Sequence, residues 1–432
     1  MGFSLSGNTY YTGIKRLQPA EIIKVSKRNI SSEKYYVPQY KYDATVKENT
    51  ELIKNAFISS IEKRLNNYNS VGAALTGGYD SRVTWAVINH LNKKNLVKAF
   101  THGLKESRDI TIANKIANKL KLDHEINIFD DRFVESLPGL WEPFVRLTEG
   151  LIPVTNAHDI KSWELGKQNY RLLLDSHGGA LYRRQFMKVA ERRIKNSDSL
   201  TDQFFEYVKS PLLNLNLLKD DYKHEAITNS KTALKKYFDS IDHIENTGDK
   251  IDLFYIHQLS ANRYSLAGNA QMNWVMLAHP FLNLDSFTAV QKIPLRYRKN
   301  QYIYRYIVNT TFKKLKSFYL ENMGLPAPYF GFTYFRYFPM VYELILQRTI
   351  AKKNNSIYKK LSLRKSATDY DLFFRINFKQ VEEILLREND LFFDIIDKNN
   401  LEQFLKNAEN NYAYKLSALS NLITFKLFLD IF

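Results

Sequence analysis

The sequence predicts an α/β protein in which a doubly wound parallel sheet is followed by a large, mostly helical carboxyl-terminal part. Short apolar segments alternate with helical patterns over residues 46–175, and a glycine-rich turn joins one apolar segment directly to a helix. Helical periodicity dominates from about residue 185 to residue 432. Strands that alternate with helices pair in parallel, and such sheets bind ligands at the carboxyl ends of their strands.

Each element of the sheet region follows from its local pattern. Residues 8–30 are rich in turn-forming residues and indicate short strands around turns. Residues 46–66 indicate a helix, because apolar side chains recur at helical spacing at Ile53, Phe57, Ile61 and Leu65. The alternation continues through the predicted strand 71–75, helix 81–92, strand 97–101, helix 108–120, strand 124–128, helix 156–168 and strand 171–175.

The carboxyl-terminal part is predicted to be helical with irregular stretches near residues 265–300 and 323–335. The final segment, 416–432, is apolar but includes Lys426 and Asp430. Charged side chains are costly inside a bilayer. We therefore expect this segment to be a terminal helix docked on the protein rather than a membrane anchor.

Composition excludes several classes of protein. The chain of 432 residues contains no cysteine, which excludes disulfide bonds, thiolate metal sites and a cysteine nucleophile. It has no run of about 18 apolar residues, and its first residues lack the pattern of a signal peptide. With 44% hydrophobic residues it can bury a core rather than stay disordered. These features predict a globular cytoplasmic protein without a membrane partner.

The chain is strongly basic, with a formal net charge of +17 at pH 7. Such an excess can attract nucleic acid or other polyanions. The lysines are dispersed, however, and often adjoin asparagine or isoleucine instead of forming one basic stretch. A solvated basic surface is the favoured interpretation, and nucleic acid is not expected as a partner.

The most informative motif follows the predicted strand 71–75, where residues 76–81 read Thr-Gly-Gly-Tyr-Asp-Ser and lead straight into a helix. Two adjacent glycines let the backbone approach an anion, and the hydroxyl groups of Thr76 and Ser81 can donate to phosphate beside the amides of the helix start. Asp80 would repel phosphate unless a cation lay between them, so we expect Mg²⁺ to bridge Asp80 and a nucleotide. A plain glycine-rich turn capped by Asp80 is the alternative.

This loop resembles the pyrophosphate loop, S/T-G-G-x-D-S, of the ATP pyrophosphatases, which cleave ATP to AMP and pyrophosphate. It is not a Walker A loop, because no Gly-Lys-Ser/Thr follows. Further motifs narrow the resemblance to the synthetase domain of asparagine synthase-like proteins, over roughly residues 8–310. The corresponding positions are 75–81, Asp109 and Ala113 (D-x-x-x-A), His124 and Glu125 (H-x-E-like), 173–181 (L-S-G-E-G-G-D-E), 279–283 (V-P-F-L-D), 292–294 and 13–19 (the tail of a glutaminase domain).

The resemblance implies an adenine nucleotide alpha-hydrolase-like fold and an AMP-forming ligase. Such an enzyme adenylates a carboxylate, here of a small molecule or a peptide, using ATP and Mg²⁺, and passes the acyl group to an amine or ammonia. The resemblance also implies that Asp80 holds the metal and acts in catalysis with His177 and Lys299. The nucleotide contacts that it implies are Leu75, Thr76, Gly77, Gly78, Asp80, Ser81, Phe100, Thr101, Asp175 and Ser176.

The same resemblance divides the chain into three parts. Residues 1–40 correspond to the tail of a glutaminase domain, 41–310 to the ATP-pyrophosphatase domain and 311–432 to a helical extension. The cysteine that hydrolyses glutamine in family members has no counterpart here. We therefore expect a separate glutaminase or another ammonia source to supply nitrogen, unless the nucleophile is a different amine.

Residues in the second loop depart from the family pattern. The family's Glu, Asp and Glu correspond to His177, Ala180 and Leu181, which leaves Asp80 as the only evident carboxylate for Mg²⁺. His177 is predicted either to transfer protons in place of the glutamate or to make only local hydrogen bonds.

Three arginines adjoin these motifs. Arg183 and Arg184 could add positive charge near phosphate, although a surface arginine pair is the favoured interpretation. Arg82 is predicted either to face phosphate or to pack outward.

Three functions stay open at this point. The favoured one is an asparagine synthase-like amide-forming ligase. A degenerate homologue that binds nucleotide or a partner protein without catalysis is the second, because the acidic residues of the second loop are replaced. The third, a tRNA-modifying enzyme, is suggested by the basic composition, but the chain has no cysteine for sulfur transfer and its loop lies far from residue 1.

Overall fold

The computed structural model describes residues 4–42, 45–184, 187–194, 200–299, 301–318, 320, 338–350, 355–362, 366–408 and 416–432. The predicted irregular stretch at 323–335 lies outside these ranges.

An antiparallel hairpin precedes the main sheet. Its strands are β1 (Glu21–Val25) and β2 (Ile30–Lys34), with Glu21 opposite Lys34. The hairpin falls within and just beyond the segment 8–30, which was predicted to form short strands around turns. Most of its side chains are exposed.

A five-stranded parallel sheet forms the centre of the protein, in the order β5-β4-β3-β6-β7. Its strands are β3 (Val71–Ala74), β4 (Val97–Gly103), β5 (His124–Ile128), β6 (Leu172–Leu174) and β7 (Met276–Ala278). The chain runs outward from β3 to β5 and then returns to place β6 on the other side of β3. This reversal of strand order beside β3 opens a crevice at the carboxyl edge, where sheets of this class bind ligands.

Helices make up most of the remaining described chain. They are α1 (Val46–Asn67), α2 (Tyr79–His90), α3 (Arg108–Leu120), α4 (Asp131–Ser136), α5 (Pro138–Thr148), α6 (Asp159–Asn169), α7 (Ala180–Arg183), α8 (Met187–Arg193), α9 (Leu200–Val208), α10 (Asp220–Ser240), α11 (Thr247–Phe254), α12 (Ser265–Gln271), α13 (Leu284–Gln291), α14 (Leu295–Arg298), α15 (Tyr302–Thr311), α16 (Phe338–Thr349), α17 (Asn355–Leu361), α18 (Tyr370–Ile376), α19 (Phe378–Leu386), α20 (Asp390–Ile395), α21 (Lys398–Ala408) and α22 (Leu416–Ile431). Short 3₁₀ turns lie at Lys94–Leu96, Val154–Asn156, Pro211–Asn214 and Lys313–Ser317, and a π-helix spans Tyr255–Tyr264.

The main core explains why these elements form where the sequence predicts them. The apolar face of α1, with Ile53, Phe57 and Ile61 fully buried, packs in one cluster with side chains of the central strands. Side-chain caps set the starts of two helices, since Thr45 accepts from the Glu48 amide of α1 and Ser107 from the Ile110 amide of α3. The predicted α/β class with a parallel, doubly wound sheet is therefore confirmed.

One part of the secondary-structure prediction is wrong. Residues 265–300 were expected to be irregular, but they contain α12, β7, α13 and α14. These elements are three to eight residues long, and prolines at 280 and 294 separate the last three of them. Such short elements show little periodicity, so only their packing reveals them.

The last helix, α22, is docked on the protein as predicted. Leu419, Leu422 and Ile423 are fully buried, in a second core that also includes residues of α5 and α19. Its charged residues pair with each other, because Lys426 donates to Asp430 one turn further on. Among the described residues, no helix combines the length and the apolarity needed to cross a bilayer.

Candidate functional site

The loop between β3 and α2 is held in shape by its own hydroxyl groups. The Thr76 and Ser81 hydroxyls lie 3.0 Å apart, and the Thr76 amide donates to Ser81 Oγ over 3.2 Å. The amide of Gly78 donates to Thr76 Oγ1 over 3.1 Å. Gly78 precedes the helix in an extended conformation and offers no side-chain cap. The start of α2 therefore faces the crevice as a preformed anion cradle.

Two residues outside the loop fix its position. Asp109, at the start of α3, accepts a hydrogen bond from the Gly77 amide over 2.8 Å. Arg82 is fully buried, and its guanidinium donates to the carbonyl oxygen of Phe318 over 2.8 Å. The prediction that Arg82 packs outward is wrong, because the side chain is fully buried and also donates to the loop carbonyl of Gly77.

Asp80 is held by a guanidinium from the second loop. Arg183 Nε donates to Asp80 Oδ1 over 3.1 Å, and Nη2 donates to Oδ2 over 2.6 Å. The two side chains are only 14% and 23% exposed. A bidentate pair with little solvent contact is among the stronger ionic contacts in proteins.

The favoured interpretation of Arg183 and Arg184 as a surface pair is wrong. Arg184 is fully buried and pairs with Asp252 and Glu191, at 2.7 Å and 2.6 Å. Arg183 reaches Asp80, more than a hundred positions earlier in the chain. Adjacent arginines look like surface residues here because two of their acidic partners, Asp80 and Asp252, are remote in sequence.

Gly179 makes the approach of the two loops possible. A Cβ atom built on Gly179 would lie 2.2 Å from Asp80 Oδ1 and 2.6 Å from the Tyr304 hydroxyl. The same hydroxyl donates to the Gly179 carbonyl over 3.0 Å. Only glycine leaves room here for the Asp80 carboxylate. A second link joins the loops where the hydroxyls of Ser176 and Thr84 lie 3.3 Å apart.

Asp175 and two histidines lie beyond the end of β6. His279 Nδ1 is 3.3 Å from Asp175 Oδ2. Burial raises the pKa of Asp175, but the neighbouring His279 and the His177 backbone outweigh that effect, so this pKa lies below its usual value. Asp175 therefore stays ionised near neutral pH.

His177 contacts residues far away in the chain rather than local loop atoms. Its Nε2 lies 2.9 Å from the Ser260 hydroxyl, and its ring packs 4.9 Å from the Tyr264 ring and 5.7 Å from the His279 ring. Burial lowers the pKa of His177 below its ordinary value. The side chain is therefore neutral at pH 7 and able to accept a proton.

The two residues predicted on β4 differ in their surroundings. Thr101 is 2% exposed, and its hydroxyl donates to the Leu75 carbonyl, so it supports the loop. Phe100 stacks on Tyr170 with ring centroids 5.8 Å apart. These residues line a cleft with about 10 Å³ of accessible space, which has room for about one water molecule but not for an adenine ring. An adenine bound here would require the two aromatic rings to move.

Lys299 is linked to the second loop through a shared ion-pair partner. Its Nζ is 3.0 Å from Glu191, which also pairs with Arg184. The structure thus brings Asp80, Asp175 and His177 to the crevice. Among the described residues, Lys299 is linked to the second loop through Glu191, which is partly exposed. Nothing in the sequence indicated that Ser260 and Tyr304 belong to this arrangement. His279 was indicated only by the family-like motif that contains it.

Comparison with known families shows to which family the chain belongs. The sequence profile of asparagine synthase matches residues 52–316, which is more than half of the chain and includes the loop, the second loop and β7. This chain belongs to the asparagine synthase family. A comparison with curated proteins gave no significant match.

Membership of the asparagine synthase family sets the coarse function. At the level of the family, the chain is an asparagine synthase-like, ATP-dependent ligase. The structured loop at the end of β3 and the second loop at the end of β6 both lie within the matched region. The matched region ends at residue 316, so the profile gives no role to the helices α16–α22.

Proposed function

We propose that this chain adenylates a carboxylate with ATP and passes the acyl group to an amine or to ammonia. The observation that supports it best is the preformed cradle between β3 and α2, placed beside Asp80 and Asp175 at the carboxyl edge of the sheet. The cradle suits a pyrophosphate leaving group, because the amides in the first turn of a helix have no intrahelical acceptors and favour negative charge.

The chemistry balances in two steps. An oxygen of the substrate carboxylate attacks the α-phosphorus of ATP, and the bond from that phosphorus to the β-bridging oxygen breaks, so pyrophosphate leaves with the electron pair. The amine nitrogen then attacks the acyl carbon, AMP leaves, and the nitrogen loses a proton. Donors fixed around the departing phosphates would lower the first barrier, since charge accumulates there.

The residues present are compatible with Mg²⁺. A carboxylate has about four lone-pair positions, so Asp80 can keep both contacts to Arg183 and still offer one oxygen to a metal. Mg²⁺ in nucleotide sites is commonly held by one or two carboxylates together with substrate phosphates. When bound, the ion would neutralise charge on the phosphates, and Asp80 is the residue that would hold it.

His177 is the proposed proton acceptor in the second step. It is neutral at pH 7 because burial lowers its pKa, and the Ser260 hydroxyl orients its ring. A neutral imidazole can take the proton that the attacking nitrogen releases. Lys299 is the proposed source of positive charge for the acyl-adenylate, acting from its contact with Glu191.

The first test compares pyrophosphate release and Mg-ATP binding in three proteins. Asp80→Ala should abolish ATP-dependent pyrophosphate release across a panel of carboxylic acids and reduce the thermal stabilisation by Mg-ATP. Asp131→Ala is the matched control, because Asp131 is an exposed acidic residue in the first turn of α4. Unchanged pyrophosphate release in Asp80→Ala would show that the site is wrongly assigned.

A second candidate function is nucleotide binding without turnover. It is favoured by one observation, the engagement of both Asp80 oxygens by Arg183. This candidate predicts thermal stabilisation by Mg-ATP with no AMP formed from any acid. Restoring acidic residues at Ala180 and Leu181 is a poor test, since both side chains are buried and new charges there would destabilise the fold. AMP formation by the unmodified protein would rule the candidate out.

A further inference from the structure

A cluster of two histidines and one aspartate lies beside the loop region but is separate from it. His102 belongs to β4 near its carboxyl end, and His158 and Asp159 lie at the start of α6. One potential ligand atom from each residue lies within 4.8 Å of the other two. None of the three residues is part of the proposed ligase chemistry.

The protonation of His158 follows from its partner. Its Nδ1 lies 2.7 Å from the carbonyl oxygen of Thr155, which can only accept, so Nδ1 carries the proton. In the neutral ring, the lone pair is therefore on Nε2, and this atom lies 3.4 Å from Asp159 Oδ1. Two acceptors face each other there, an arrangement that a cation between them would stabilise.

His102 is held in a way that suits the same ion. Its Nδ1 lies 2.7 Å from the Ser162 hydroxyl, one turn into α6. When Nδ1 donates to this hydroxyl, the lone pair of the neutral ring is on Nε2. Histidine ligands in metal sites commonly have their second nitrogen fixed by a carbonyl, carboxylate or water in this manner, which orients the ring.

An aromatic shell surrounds the cluster. The Phe129 ring lies 5.4 Å from both imidazole rings, and the rings of Tyr370 and Phe373 lie 6.1 Å from His158. His158 is 4% exposed, whereas the Asp159 side chain is 30% exposed. The cluster is thus shielded by rings on the histidine side and open to solvent at the carboxylate, where an ion could enter.

We infer that His102, His158 and Asp159 bind a divalent transition-metal ion, with Zn²⁺ as the best match. Two imidazoles and one carboxylate are typical zinc ligands, and they leave a fourth position for water. Ligand atoms around tetrahedral Zn²⁺ are about 3.3 Å apart, close to the 3.4 Å between His158 and Asp159. Mg²⁺ prefers oxygen ligands and is not expected to compete.

A bound metal ion would cross-link the end of β4 to the start of α6. These elements belong to different parts of the chain, so an ion that binds only the folded form would stabilise their contact. This role is independent of ATP, and the inference therefore goes beyond the proposed ligase function.

The test uses the full chain without a histidine tag, freed of metal with a chelator and kept without nucleotide. Calorimetric titration with Zn²⁺ should give one site per chain, and the melting temperature should rise with it. Asp159→Asn and His158→Gln should each weaken Zn²⁺ binding at least about tenfold. His90→Gln is the matched control, because His90 is exposed at the end of α2, and it should bind as the unmodified protein does.

Two results would overturn the inference. One is the absence of stoichiometric Zn²⁺ binding in the unmodified protein, which would mean that a proton on His158 Nε2 stabilises the contact with Asp159 instead. The other is equal Zn²⁺ affinity in Asp159→Asn and in His90→Gln. Because Asp159→Asn changes a partly exposed residue, it should fold even if His158→Gln does not. Nucleotide is absent, so neither result depends on whether Asp80 supports pyrophosphate release.

Discussion

Arg183 donates to both carboxylate oxygens of Asp80, at 3.1 Å and 2.6 Å, and so joins the two loops at the carboxyl edge of the sheet. The family pattern has acidic residues in the second loop, whereas in this chain the second loop brings a positive charge to Asp80. Under the proposed function, this guanidinium helps to neutralise the phosphates and positions Asp80 for the metal.

Removal of the Arg183 guanidinium should therefore impair the first chemical step. Arg183→Ala should lower pyrophosphate release about ten- to a hundredfold, the effect of losing a charged hydrogen-bonding partner. Arg183→Lys should recover only part of this loss, because an ammonium group cannot make the bidentate contact. The measurement is the initial rate of pyrophosphate release at saturating Mg-ATP.

Arg192→Ala is the control for this experiment, since Arg192 is an exposed arginine of α8. A normal rate in Arg183→Ala would contradict the assigned role of the pair. A rise in rate would instead show that Arg183 holds Asp80 in an inactive state.

Gly179 offers a test of loop spacing that changes no charged group. In Gly179→Ala the new methyl group would lie 2.2 Å from Asp80 Oδ1, so one of the loops must move. We expect pyrophosphate release to fall at least about tenfold, because small displacements of reacting groups are costly for catalysis. Gly139→Ala is the matched control, since its Cβ would meet nothing within 4 Å. Equal rates in the two variants would show that the spacing of the loops is unimportant.

His177 should give the reaction an acidic limb in its pH profile. Burial lowers the pKa of His177, so the neutral form persists below the ordinary value of about 6.5 and is lost only at more acidic pH. The rate of amide formation should fall as the pH decreases through that lowered pKa. His177→Asn should be slower and lack this limb. His224 is exposed and serves as the control, so His224→Asn should keep the acidic limb. If the acidic limb persists in His177→Asn, a group other than His177 causes it.

His257 should make the fold sensitive to acid. Burial, reinforced by the charge of Lys34, lowers its pKa from 6.5 to about 4. Between these two values the unfolded chain binds the proton and the native protein does not, so stability is lost as the pH falls through this window. Between pH 7 and pH 5, the contribution of His257 to the free energy of unfolding should drop by about 2 kcal/mol.

Urea unfolding of His257→Gln at both pH values measures this contribution. Its stability should decrease by about 2 kcal/mol less than that of the unmodified protein over the same interval. His224→Gln should behave like the unmodified protein. An equal decrease in His257→Gln would mean that His257 is protonated in the native state.

The secondary structure of the sheet region could be predicted closely from the sequence. Helix 108–120 and strand 124–128 have the predicted bounds, and the strand, turn and helix around residues 71–90 were also expected. Local periodicity and the glycine pair contain this information, because they act between residues close together in the chain. The edge strand β7 was missed, since three residues give no period and its place in the sheet depends on pairing with β6, about a hundred residues earlier.

The candidate site also has a part that the sequence predicts and a part that depends on the fold. The sequence by itself determined the α/β class, the loop 76–81 and the family, because these depend on the order of neighbouring residues. Only the tertiary structure decided that Arg183 binds Asp80, that His177 meets Ser260, and that His102 lies beside His158 and Asp159. These contacts join residues from about 55 to more than a hundred positions apart, and they form because the parallel sheet brings the ends of separate strands to one edge.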